Sequence, residues 1–308
     1  MKSLIIAVLA LLLHPVSMRA SDRLNSDLLK SVVRVETAPN TAGLQEIACG
    51  FLAGADPARG GRVFLVTNKH VIGDFNYADA NIQSFHTWID VFFYRVAPDR
   101  QGRSYRATRI PLVNRTGQID TLRVRMHPQP TVDLVAIDVT DVTENPAEQI
   151  SYVAYSKSVF IPFSQIEEWQ TSIGDEVIAL GYPYGIRSLR NDYPVAKIAY
   201  VASKPGEELS LPFPTLNRAN VLVREVVLEG KFLLVDGLIT NGNSGGPVVL
   251  MGGVKVGRDP KTNVLLFSGK PIPNNVVGIV SAGYSGSGLS IVVSSDYILE
   301  LVDFSEKH

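Results

Sequence analysis

The chain has 308 residues, of which 45% are hydrophobic and 19% charged, with a formal net charge of −1. That length allows one or two domains with substantial cores. So neutral a balance offers no basic face for nucleic acid or an anionic membrane surface. In chain order, Met1-Lys2, the apolar run Leu4 to Leu13 and the small residue Ala20 predict a secretory signal peptide over residues 1–20. Ten apolar residues are too few to span a bilayer, and no other stretch of the sequence is longer and equally apolar. The expectation is an exported chain, periplasmic or secreted, with no stable membrane insertion once the leader is removed.

Strand signals follow, punctuated by Gly, Pro and Asn: Ser31 to Thr37, Cys49 to Leu52, Val63 to Thr67, Trp88 to Tyr94, Ala107 to Val113 and Leu134 to Val139. The basic stretch between Arg100 and Arg109 is broken by Gly102 and Tyr105 and reads as a solvated hairpin. Val63 to Val66 is an apolar strand running into a polar break that carries His70. The other histidines lack that setting: His14 is in the leader, His86 precedes a strand and His127 precedes Pro128. Two acids compete near the last strand of this series. Asp133 and Asp138 are separated by an odd number of residues, so strand alternation puts them on opposite faces. Asp138 leads into Thr140-Asp141 and reads as the exposed end, whereas Asp133 precedes the apolar run. The lone Cys49 excludes an intramolecular disulfide, and its apolar strand has no charged neighbour to make it a nucleophile.

Residues 141–170 are more polar and include Ile166 to Trp169, a predicted short helix. A second strand series takes in Glu176 to Gly181, Ala196 to Val201, Asn220 to Leu228, Phe232 to Val235, Pro247 to Leu250, Val276 to Val280 and Leu289 to Val293. Ser295 to Val302 has helical apolar spacing after a Ser/Asp start and predicts a C-terminal helix. Within this series, Asn241-Gly242-Asn243-Ser244-Gly245-Gly246-Pro247 sets one serine among glycines. A nucleophilic serine needs such neighbours, because the backbone must turn sharply and expose amides to a developing oxyanion. Gly242-x-Ser244-x-Gly246 also fits the nucleophile elbow of α/β-hydrolases, but there the acid and histidine follow the serine. Only the terminal His308 lies after Ser244, so an esterase of that fold is disfavoured. His70 as general base, Asp133 as the acid orienting it and Ser244 as nucleophile describe acyl transfer, with Gly242 and Ser244 amides as the oxyanion hole.

The order His, Asp, Ser, with Thr67-x-x-His70, Asp133-Leu134-x-x-Ile137 and Gly242-Asn243-Ser244-Gly245-Gly246-Pro247, resembles the trypsin-like (chymotrypsin-fold) serine peptidases over residues 27–300. Asn243, where animal digestive members have Asp, and the Gly181-Tyr182-Pro183-Tyr184-Gly185 turn are similar to the bacterial HtrA-like branch. Only 64 residues follow Ser244 in this sequence, and the second barrel is expected to use them, so the PDZ domain of that branch is not expected. The resemblance implies an all-β fold of two six-stranded antiparallel barrels with a short C-terminal helix. Residues 21–140 would form the barrel with His70 and Asp133, 141–170 the connection and 171–308 the barrel with Ser244. It implies a serine endopeptidase acting on polypeptides, without cofactor or metal. The substrate site would comprise Leu238 at the pocket floor, Thr240, and the backbone-binding strand with Ser281, Ala282 and Gly283. No acid stands in that pocket to hold Lys or Arg. The 63-residue spacing from His70 to Asp133 places extra length in residues 74–88 and 114–131, beside the cleft. The competing reading is a binding or scaffold protein on the same fold, with a latent triad. Oligomeric state is left open.

Overall fold

A computed structural model of the chain describes residues 26–39, 45–56, 59–76, 81–166, 171–216, 222–237, 239–251, 256–258, 265–267, 275–283 and 287–305. The expected leader and most of the predicted helix at residues 166–169 fall outside them. Helix α1 (Ser26–Ser31) leads into strands β1 (Val32–Thr37), β2 (Ile47–Gly54) and β3 (Val63–Thr67). After α2 (Lys69–Ile72) come β4 (Gly73–Asn76), β5 (Asn81–Phe85), β6 (Trp88–Tyr94), β7 (Tyr105–Pro111), β8 (Val124–Met126), β9 (Val135–Asp138) and α3 (Thr140–Thr143). Seven of these strands form one antiparallel sheet in the order β7-β6-β1-β2-β3-β9-β8, while β4 and β5 form a separate hairpin.

The second half contributes β10 (Glu176–Gly181), β11 (Val195–Val201), β12 (Leu209–Leu216), β13 (Leu222–Gly230), β14 (Phe232–Asp236), β15 (Pro247–Leu250), β16 (Val256–Arg258), β17 (Leu265–Phe267), β18 (Asn275–Gly283) and β19 (Leu289–Ser294), then α4 (Ser295–Leu301). Six of them close into a barrel, β10-β11-β14-β19-β18-β15. The expected all-β architecture is present, with one closed six-stranded barrel and, in place of a second closed ring, a seven-stranded sheet. That sheet gains β8, a three-residue strand from the extra length before Asp133, as its terminal member.

Continuous apolar runs rather than alternation mark the central strands because both their faces are buried. In β2, Leu52 joins the core of the seven-stranded sheet with Val33, Val35, Leu65 and Ile89. Its neighbours Cys49, Phe51 and Ala53 point the other way, into a cluster with Phe64, Val66, Leu180, Val249 and Ile279 that fastens the sheet to the barrel. Burying a side chain such as Phe51 or Phe64 contributes roughly 1.5–3 kcal/mol, so this seam is a substantial part of the fold's stability. A third cluster, including Val177, Ala199, Leu233, Val248 and Val292, fills the barrel. Between the halves, residues 144–166 run as short 3₁₀ turns that bridge Ala53 to Tyr155 and Phe160 to Val276. Helix α4 starts where Ser294 Oγ accepts from the Asp296 amide at 3.2 Å, and it buries Tyr297 and Ile298 against the common core.

Candidate active site

The site lies where the two halves meet, and each half delivers its part at the end of a buried strand. Fully buried β3 ends at Thr67, and the chain then turns into the four-residue α2 carrying His70. Asp133 does not sit in a strand: β9 begins two residues later, and Asp133 lies in the turn before it. His70 Nδ1 is 2.7 Å from Asp133 Oδ2, and the His70 amide donates to Asp133 Oδ1 at 3.1 Å. Asp133 is 2% exposed while His70 is 25% exposed, so the pair presents its histidine outward. Asp138, the rival acid, is engaged elsewhere. Its Oδ1 accepts from the Thr140 amide at 3.0 Å and its Oδ2 lies 3.3 Å from Arg62.

Ser244 reaches the same place from the barrel. Its carbonyl accepts from the Cys49 amide at 2.8 Å, and the Gly245 amide donates to the Val280 carbonyl at 2.9 Å. Gly245 has φ +85°, and a Cβ there would stand 1.9 Å from the Cys49 carbonyl oxygen and 2.4 Å from Thr67 Oγ1. Glycine after the serine is thus required by the neighbouring backbone of the other half, more than by access of substrate. Cys49 itself is buried, and burial pushes its thiol far up, so it is a packing residue.

Ser281 ties the two halves of the site together. Its hydroxyl donates to Asp133 Oδ2 at 2.8 Å, and its carbonyl accepts from Ser244 Oγ at 3.5 Å. Sequence reasoning assigned Ser281 to substrate binding alone; its hold on the buried carboxylate has no signal in the sequence. Two further residues were missed. Asn68 Nδ2 donates to the Asp133 carbonyl at 2.7 Å. Lys69, only 4% exposed, donates from Nζ to the carbonyls of Gln129 and Pro130 at 3.2 and 3.3 Å, fixing the turn that presents Asp133. Burial lowers the Lys69 ammonium to about 8, opposed by the charge of Asp133. The consecutive polar residues Asn68-Lys69 between an apolar strand and His70 were the only available hint.

For His70, burial favours the neutral imidazole, but the charge and hydrogen bond of Asp133, helped by Glu46, outweigh it and raise the pKa above 6.5. The serine loop is organised from the turn after β10. The Tyr184 amide donates to the Asn241 carbonyl at 2.9 Å and the Tyr182 amide to the Gly242 carbonyl at 3.0 Å. Neither the Gly242 nor the Ser244 amide has an acceptor among the described residues. Asn243, fully buried, donates from Nδ2 to the Thr240 carbonyl at 2.9 Å.

Of the expected substrate residues, Leu238 lies outside the described residues. Thr240 is half-buried at the base of the serine loop. Ala282 and Gly283 continue β18 past its last partner in β15, which is Ile279. Among the described residues, the β15-side edge of residues 281–283 therefore carries no strand. The remaining histidine of note, His127, is buried against Tyr297 and hydrogen-bonded to Glu300, a structural position. No cluster of His, Cys, Asp or Glu suited to a metal occurs among the described residues.

No protein-family model and no curated protein matches the chain. Among solved structures it is similar to the Rv3671c protease of M. tuberculosis. The inactive form shows 16% identity over 89% of this chain and 88% of that one, with a TM-score of 0.45. The active form shows 14% identity over 89% and 80%, also at 0.45. A serine-to-alanine mutant in the inactive form shows 14% over 93% and 94%, at 0.46. The closed six-stranded barrel, the seven-stranded sheet and the short C-terminal helix are consistent with a chymotrypsin-like fold.

Proposed function

We propose that the protein is an exported serine endopeptidase that cleaves polypeptides through an acyl-enzyme formed on Ser244. The observation that carries this reading is Ser281, which touches the Asp133 carboxylate and the Ser244 hydroxyl at once. It thereby brings a buried Asp–His pair and a glycine-flanked serine, donated by different halves, to one place. His70, held by Asp133 in the tautomer with Nδ1–H, presents Nε2 as the base that takes the Ser244 proton, and then returns it to the leaving amine. The imidazolium formed in between is stabilised by Asp133, whose carboxylate also receives the Ser281 hydroxyl. The two amides of Gly242 and Ser244, unengaged among the described residues, are suited to the tetrahedral oxyanion. An extended substrate would add to the open edge at residues 281–283 as a strand.

The same two amides favour this reading over a latent scaffold. A collapsed oxyanion loop would fold one of them onto an internal acceptor. A fluorophosphonate tests the difference: the protein from residue 21 onward should be labelled at Ser244, located by peptide mass, and the Ser244→Ala protein should not. No labelling in the folded protein would sink the peptidase reading and leave the scaffold. The rate of labelling should also rise with pH, because protonated His70 cannot accept the serine proton. Its midpoint is expected above 6.5, since Asp133 raises the His70 pKa. A midpoint at or below 6.5 would mean that the Asp133 charge does not govern the imidazole.

A further inference from the structure

A second site lies away from the triad, where the loop following β10 meets the seven-stranded sheet. A cavity of about 470 Å³ opens between β1, the turn joining β6 to β7, and Arg187. That volume is in the range of small-molecule sites. Five arginines are among the residues that line it, Arg34, Arg95, Arg103, Arg106 and Arg187. Four carboxylates answer them. Glu36 pairs with Arg34, Asp99 with Arg103 at 2.8 Å, Glu148 with Arg106 at 2.8 Å, and buried Asp192 lies 3.2 Å from both Arg34 and Arg187. Positive charge is therefore in excess by one. The unmatched cation is Arg95, whose hydrogen bonds go to neutral acceptors, the Ala97 carbonyl at 3.1 Å and Gln149 Oε1 at 2.9 Å.

Donors are in larger excess than charge. Arg187 Nε is close to Asp192 Oδ1 but off the donor axis, and this buried N–H has no hydrogen-bond acceptor among the described residues. An unsatisfied buried donor of a cation is costly, and the Arg187 side chain that carries it also lines the cavity. Arg34 lies flat on Phe92, 3.4 Å from the ring centre, so its guanidinium is fixed in orientation. A structural ion cluster would have closed on itself. This one leaves room and one net positive charge.

We propose that this cavity binds a small molecule through a single carboxylate or phosphate group, and that its occupation is an effector of the serine loop. The coupling route is short. Asp192, paired with the cavity residues Arg34 and Arg187, accepts at its carbonyl from the Tyr182 hydroxyl at 2.9 Å, and the Tyr182 amide holds the Gly242 carbonyl at 3.0 Å. The Ser104 amide also donates to the Arg190 carbonyl at 2.7 Å, so the turn that walls the cavity is fastened to the same loop. An anion bridging Arg95 and Arg187 would fix residues 187–192 against the sheet, and through Tyr182 fix the carbonyl of the oxyanion glycine. The effector role rests on the peptidase reading above; binding does not.

The test separates the two. Thermal unfolding is followed with inorganic phosphate, acetate or chloride at matched ionic strength and pH. Phosphate or acetate at ten times its Kd should raise Tm by roughly 3 °C over chloride, and the more effective ion identifies the group. Arg95→Gln, at a half-buried position, and Arg187→Gln should each remove the extra shift. No excess over chloride in the parent protein, or an excess that survives both substitutions, overturns the site. Fluorophosphonate labelling of Ser244 should quicken by roughly fivefold with the effective anion, the low end of allosteric couplings. An unchanged rate with the thermal shift intact overturns the effector role. Absence of labelling under every condition would instead remove the peptidase reading, while the thermal shift still decides the site.

Discussion

Replacing Ser244 with Ala should reduce peptide hydrolysis by about 10⁶-fold, the scale on which triad serines act in other folds. The change should leave Tm almost unmoved, because among the described residues the Ser244 hydroxyl has one long contact, to the Ser281 carbonyl at 3.5 Å, and fills no core. His70→Ala should be about as damaging, and the double variant little worse than either, since groups that act as one unit are not additive. Asp133→Asn should cost about 10⁴-fold in kcat by favouring the wrong imidazole tautomer. It should cost stability as well, because Asp133 accepts from the His70 amide and the Ser281 hydroxyl in a buried setting. Asp138→Asn is the control: its partners are Thr140 and Arg62, and the rate should stay within about twofold, as expected for a position with no part in a catalytic unit. Steady-state kinetics on the four proteins decide the matter. Should Asp138→Asn prove the worse of the two aspartate changes, the assignment of the acid is wrong.

Much of this was legible in the chain because the residues concerned carry a local reason for being where they are. The apolar run before His70, the acid before Leu134 and the glycines around Ser244 each mark a turn at one end of a buried strand. The strands with both faces buried, β2 and β3, announce themselves by uninterrupted apolar residues. What stayed hidden depends on contacts between segments distant in sequence. Ser281 lies 148 residues from the carboxylate it holds, and Lys69 lies 60 residues from the Gln129 carbonyl it caps. Nothing near either residue in the sequence encodes that meeting. Strand β12 was missed for a different reason, since Pro212 and Pro214 argue against a strand. It is tolerated because β12 pairs only with β13 in a two-stranded ribbon, leaving one edge that needs no amide donors. The first half, expected to close into a ring, instead forms a seven-stranded sheet. The long segment before Asp133 supplies β8, whose pairing with β9 no periodicity in three residues could reveal.

The remaining large effect concerns Gly242 and whether the enzyme is born active. In the digestive trypsin-like peptidases that the sequence resembles, a freed N-terminal ammonium pairs with the Asp before the serine and orders the oxyanion loop. Here that position is Asn243, whose side chain donates to the Thr240 carbonyl and makes no ion pair. Order comes from the turn after β10. A trans peptide points its N–H opposite to its carbonyl. With the Asn241 carbonyl held by the Tyr184 amide, the Gly242 N–H is directed away from that turn. Gly242 can adopt this geometry because its φ is +94°, and a Cβ would stand 2.1 Å from the Tyr182 carbonyl oxygen. Gly242→Ala should therefore turn the peptide and lose one oxyanion donor, lowering kcat by about 10²–10³-fold with Tm changed by only a few degrees. The matching expectation is that protein beginning at residue 21 hydrolyses casein without added protease. Two results would reverse the argument: activity appearing only after a second cut within residues 22–30, or Gly242→Ala retaining the parent rate. Either would mean that the loop is ordered by something other than the Tyr182–Gly185 turn.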